Sequence, residues 1–129
     1  MRNLCCIIAM GVALAGPAAA ALGDETSVNA RLFVVATADK IRKGCDDIEP
    51  RMVRAYAYLR GTATEAERLG YSKGEIEAYV EDDSAKAVIE GQAEAWLAAN
   101  GGTDEAGLCA RGRAEIAAGT DIGKLLKVR

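Results

Sequence analysis

Apolar positions recur every three or four residues along most of this chain, and no stretch alternates apolar and polar over the length of a strand. The pattern predicts helices. Ser27 is expected to cap a first helix running to about Lys43, with Leu32, Val34, Val35, Ala38 and Ile41 facing inward and Gly44 in the left-handed position after it. Lys40, Arg42 and Lys43 fall in its last turn, while Asp46, Asp47 and Glu49 open the next element, an order that complements helix dipoles. A second helix is expected from near Pro50, with Met52, Ala55, Tyr56, Leu59, Ala63 and Ala66 at helical spacing and Gly70 at its end. Ser72 and Glu75 match a capping box, and Tyr71 and Ile76 match the hydrophobic staple around it, so a third short helix runs to about Glu81. Asp82 or Asp83 caps a fourth, carrying Val88, Ile89, Ala93, Trp96 and Leu97, which Asn100-Gly101-Gly102 stops. Thr103 caps a fifth with Leu108, Cys109, Gly112 and Ile116, ended by Gly119, and Thr120 begins a last short helix with Ile122, Leu125 and Leu126. The fold class predicted is all-α, an irregular bundle of five to six short helices in which Gly112 lets another helix approach closely.

The first twenty residues have a different character. Arg2 is followed by an apolar run from Leu4 to Leu14, then Pro17 and Ala18-Ala19-Ala20. That order is that of a secretory signal peptide cleaved after about Ala20. The run is shorter than the ~20 residues a bilayer span needs, so the processed chain is expected not to span a membrane. The domains expected are therefore a signal peptide, residues 1–20, and a single helical domain, residues 21–129, in the periplasm.

Export changes the meaning of the cysteines. Four are present, and processing removes Cys5 and Cys6. Cys45 and Cys109 remain, and an oxidising compartment favours a disulfide between them. The crosslink matters because the core is modest: alanine supplies much of the apolar fraction, and the chain has one Phe, one Trp and four Tyr.

Charge narrows the function further. Without Arg2 the chain carries 15 basic residues against 19 acidic ones, and no basic patch of the kind that nucleic-acid binding requires. It has no histidine, which removes Ser-His-Asp and Cys-His catalysis and the usual zinc sites. There is no CxxC motif and no glycine-rich phosphate loop. The acidic run Glu81-Asp82-Asp83 and the Glu90/Glu94 pair suit solvated helix surfaces better than a metal. Neither a catalytic site, a metal nor a cofactor is expected, and the protein is expected not to be an enzyme. One candidate surface stands out. A Cys45–Cys109 bond draws Lys40, Arg42, Lys43, Arg111 and Arg113 towards one region, where they either form a partner-binding patch or pair internally with Asp39, Asp46, Asp47 and Glu115.

Ordered pieces of the chain carry a resemblance: Val28-Asn29-Ala30-Arg31-Leu32, Ile41-Arg42-Lys43-Gly44-Cys45, Arg51-Met52, Gly70-Tyr71-Ser72 with Glu75-Ile76, Leu97-Ala98-Ala99-Asn100-Gly101, Cys109, and Glu115-Ile116-Ala117-Ala118-Gly119 with Leu125-Leu126. In these the chain resembles a domain-of-unknown-function family of small exported alphaproteobacterial helical proteins. Some members are encoded among the genes of respiratory NADH:quinone oxidoreductase. The resemblance implies a non-catalytic periplasmic accessory protein with a protein partner, in this case a membrane respiratory complex. It does not imply a redox subunit, because the chain has no iron–sulfur cysteine set and no nucleotide motif. The alternative is an acid- or stress-responsive periplasmic chaperone, since a small acidic helical protein loosens as its carboxylates protonate.

Overall fold

The computed structural model describes residues 18–129, and the signal-peptide features from Arg2 to Pro17 lie outside them. Seven helices and two short strands follow in the order α1 (Ala18–Gly23), α2 (Thr26–Gly44), β1 (Ile48–Pro50), α3 (Met52–Arg68), α4 (Lys73–Glu81), α5 (Asp83–Ala99), α6 (Glu105–Ala118), α7 (Asp121–Lys124) and β2 (Leu126–Val128). The all-α architecture is the one the periodicity predicts. The expected cleavage point after Ala20 falls inside α1, and Leu22 just beyond it is buried.

α2 is the central helix: α3, α5 and α6 all pack on it. Two apolar clusters surround it. The larger joins Ala38, Ile41 and Cys45 to Leu97, Leu108, Cys109 and the C-terminal Ile122, Leu125 and Leu126. The smaller gathers Leu22, Val28, Ala66 and Tyr79 where α1, α3 and α4 meet, with Tyr71 and Ile76 packed against it.

Local capping explains several boundaries. The Ser72 hydroxyl accepts from the Glu75 amide at 3.2 Å, and the Glu75 carboxylate accepts from the Ser72 amide at 2.7 Å, which closes the predicted capping box. Of the two candidates, Asp82 caps α5, accepting from the Ala85 amide at 2.8 Å. Gly119 ends α6 with φ +64°, and the Thr120 hydroxyl caps α7 by accepting from the Gly123 amide.

Other expectations are corrected. Gly44 is the last helical residue of α2 and is not left-handed; its missing Cβ makes room for Leu108, whose Cδ1 would lie 2.1 Å from one. Ser27 does not cap α2: its hydroxyl donates to Glu65 on α3 at 3.1 Å, and Glu25 holds the cap position without a side-chain bond. Asp104, not Thr103, caps α6, accepting from the Gly107 amide at 2.9 Å. Asp46, Asp47 and Glu49 do not open a helix, and Pro50 lies in a strand. β1 pairs antiparallel with β2 in the register Ile48↔Val128, Glu49↔Lys127, Pro50↔Leu126, so Leu126 leaves the last helix for the strand. Lys127 and Arg129 both pair with Glu49 across this ribbon, at 2.8 and 3.6 Å. Gly112 behaves as expected: a Cβ there would sit 2.3 Å from Ile48 Cδ1 and 2.7 Å from Ile41 Cγ2, so α6 lies close against α2 and β1.

Candidate functional site: a crosslinked charge cluster and an apolar groove

The disulfide joins Cys45, at the end of α2, to Cys109 on α6 with a Cα–Cα distance of 5.1 Å. Both residues are buried, and both belong to the larger apolar cluster. The bond clamps two segments that the chain separates by 64 positions.

Around it the five cations singled out from the sequence each meet a carboxylate. Arg42 and Lys43 share Asp39, one turn back on α2, at 2.5 and 2.6 Å. Burial raises the Asp39 carboxyl, but the hydrogen bonds from Lys43 and Arg42 outweigh it and hold the group below its ordinary pKa. Lys40 reaches Glu94 on α5 at 3.6 Å, and Arg113 reaches Asp47 at 2.6 Å. Arg111 Nε lies 3.0 Å from Glu115 Oε1, without the alignment of a hydrogen bond, and its guanidinium sits 5.7 Å from the centre of the Trp96 ring. Glu115 is buried, and its other oxygen accepts from the Thr120 hydroxyl. Asp46 makes no ion pair among the described residues, and Glu94 takes part in its place. Five cations thus face four anions at short range, which leaves little net field for steering.

A second surface was not anticipated. α3 and α5 both pack on α2, and α4 touches each of them. Between them runs a groove with α2 as its floor. Its central part, a cleft of about 210 Å³, is lined by Leu32, Val35, Ala36 and Asp39 from the floor, Tyr79 and Val80 from α4, and Ala85, Lys86, Ile89 and Glu90 from α5. Leu32, Tyr79 and Val80 continue it into a cleft of about 330 Å³ against Leu59 and Ala63 of α3. Val35 and Asp39 continue it the other way, to Met52 and Ala55.

Large apolar side chains stand on the α3 rim instead of in the core. Met52 is 67 % exposed, Val53 86 %, Tyr56 67 % and Leu59 40 %; Val80 on α4 is 47 % exposed. Helical spacing had grouped Met52, Tyr56 and Leu59 with the inward positions of α3. Of that expected set the structure buries Ala66, and with it Thr62, small residues that let α3 lie close to α2. Arg31 of α2 reinforces this choice of face: its Nε donates to Thr62 Oγ1 at 3.0 Å, and its guanidinium lies 4.2 Å from the centre of the Tyr58 ring. The sequence signal available was that split between small and large residues on neighbouring faces of one helix.

One further residue of the Val28–Leu32 segment, Asn29, has defined work. The Asn29 amide group donates to the carbonyls of Leu22, Gly23 and Glu25, while its oxygen accepts from the Tyr79 hydroxyl at 2.6 Å. One side chain thus joins α1, α2 and α4. The acidic run at 81–83 is occupied with helix ends: Asp82 caps α5, and Asp83 faces Lys86 at 3.6 Å. Among the described residues no three His, Cys, Asp or Glu side chains gather as a metal would need. No described helix is long and apolar enough to cross a membrane.

A family model described as a family of unknown function (DUF5333) matches residues 20–127. The chain belongs to that family. Comparison with curated proteins and with solved structures finds no match.

Proposed function

We propose that this member of the DUF5333 family is an exported, non-catalytic interaction protein of the periplasm, and an accessory of a membrane respiratory complex of the NADH:quinone oxidoreductase type. The observation that carries the interaction role is the row of exposed apolar side chains from Met52 to Leu59, with Val80 across the groove. A monomer rarely leaves so much contiguous apolar surface uncovered unless contact is its work. The absence of histidine from the sequence supports a binding role over acid–base or nucleophilic catalysis. The disulfide supports a working place outside the reducing cytosol. The respiratory partner rests on the resemblance in sequence.

The test is co-purification of the tagged protein with the respiratory complex from detergent-solubilised membranes. Recovery of the complex in stoichiometric amount is expected. Recovery of none, from cells in which the tagged protein is periplasmic, removes the accessory role.

A chaperone role is the second reading. It is favoured by the depressed carboxyls of Asp39, Glu49 and Glu65, whose protonation weakens contacts that hold α2, the ribbon and α3. Capture of unfolded clients only in acid supports it, and equal capture at neutral pH counts against it.

A further inference from the structure

From the exposed ridge of α3, the groove beside it and the charges each carries, we infer that the groove receives α3 of a second copy, giving a two-fold symmetric dimer; this deepens the interaction reading above by assigning its apolar surface to a second copy, so that a respiratory partner would meet the dimer on another face. The ridge and the groove are adjacent on one molecule. That is the arrangement an isologous contact needs, because each copy offers the other both a convex and a concave part. The ridge presents Met52, Val53 and Tyr56, all strongly exposed. The groove presents Val35, Ala36, Val80 and Ile89. α3 has 17 residues and α2, the floor, has 19, so the two extend about equally far, roughly 25–28 Å.

Charge selects a second copy over other apolar helices. From Met52 to Thr64 the only charged residues of α3 are Arg54 and Arg60, and neither makes an ion pair among the described residues. Arg60 is exposed one turn beyond Tyr56, on the same side of the helix. The opposite wall is acidic on balance. Glu90 lines the groove beside Lys86, whose charge Asp83 meets at 3.6 Å; Glu77 and Glu81 are exposed on α4 outside the cleft lining, and neither they nor Glu90 has a cation within ion-pair distance among the described residues. Within one molecule the groove keeps these charges apart. In the two-fold pair each cationic ridge enters the other copy's acidic-walled groove, so Arg60 of each copy approaches Glu90 of the other. Opposite charges at a rim chiefly fix partner and register, while the apolar ridge supplies the affinity.

Sedimentation velocity on the purified processed protein, without any other component, tests the dimer separately from the respiratory partner. A monomer–dimer equilibrium that shifts with concentration is expected. Tyr56→Glu is expected to raise the dimer Kd at least about tenfold, the scale of an interface anchor. Arg60→Glu and Glu90→Arg are each expected to weaken association, and the double reversal to restore it. All three side chains are exposed, so melting should stay near the parent's; should Tyr56→Glu melt early, Val53→Glu takes its place. A monomer at every concentration, association of the Tyr56→Glu or Val53→Glu protein equal to the parent's, or a double reversal no tighter than the single ones overturns the inference.

Discussion

Gly123 of α7 lies so close to Glu115 of α6 that a Cβ on it would fall 1.9 Å from the Glu115 carbonyl oxygen and 2.3 Å from its carbonyl carbon. The obstacle is backbone, which has no rotamer to yield. Thr120 lies between the two helices, and its hydroxyl holds both the Glu115 carboxylate and the Gly123 amide. This tight corner sends the chain back towards β1, so that Leu125 and Leu126 enter the core and β2 meets its partner.

Gly123→Ala is therefore expected to destabilise at the upper end of overpacking, about 3 kcal/mol, because α7 must move away from α6. Thermal unfolding by circular dichroism measures it. Gly91→Ala is the control: Gly91 is exposed in the middle of α5, and nothing lies within 4 Å of its added Cβ. There the same substitution should stabilise by about 0.5–1 kcal/mol through helix propensity. Equal effects at the two positions would contradict the close approach.

Removal of the disulfide should cost a large part of the domain's stability. The bond spans a separation of 64 residues, and the chain-entropy relation assigns a loop of that size about 4 kcal/mol. The double replacement of Cys45 and Cys109 by serine is expected to melt far earlier than the parent. An unchanged melt would show that the two buried positions, already clustered with Ile41, Ile48 and Leu108, hold together without the bond.

Asn29→Ala should loosen α1. The substitution leaves the carbonyls of Leu22, Gly23 and Glu25 without the amide donor and the Tyr79 hydroxyl without its acceptor. The Leu22 and Glu25 carbonyls keep backbone donors, so the main cost is the buried Tyr79 hydroxyl left without its acceptor, about 1–3 kcal/mol. Hydrogen exchange should rise first in α1 and at the α4 contact, with the disulfide region protected as before. Uniform loss of protection across the molecule would argue against this local role.

Acid should destabilise the protein in a defined window. The hydrogen bond from Arg68, with that from Ser27, holds the Glu65 carboxyl at about 2 against an ordinary 4.5. A depressed folded-state pKa stabilises fully above the ordinary value and loses its effect as pH falls towards the folded one. Stability should thus decline between about pH 4.5 and pH 2. Glu65→Gln should lower the melting temperature at neutral pH and shallow that decline. A variant whose pH profile runs parallel to the parent's would remove Glu65 from the account.

Legibility in the sequence followed the range of the interaction. The capping box at Ser72 and Glu75, a cap at Asp82 or Asp83, the helix end at Gly119 and the Thr120 cap are each contained within a few neighbouring residues and readable from spacing; the structure chose Asp82 and put Gly119 in the left-handed conformation. The two cysteines left beyond the expected signal peptide made their pairing readable as well, because only one partner was available. The cations near them were legible as a cluster. That each has a carboxylate partner was open until helix phase set Glu94 opposite Lys40 and the turn after Cys45 set Asp47 opposite Arg113.

What tertiary structure decided is what depends on distant neighbours. β1 and β2 are three residues each and are separated in the chain by α3 to α7, too short to show a period of two before they meet. Gly44 looks like a helix terminator in sequence, and only the arrival of Leu108 makes it a packing residue. The groove was hidden for the same reason. α3 has small residues on one face and large apolar ones on the next, and periodicity cannot say which of two apolar faces goes inward. Close approach to α2, held by Arg31 on Thr62 and Tyr58, chose the small face and left Met52, Val53 and Tyr56 in water.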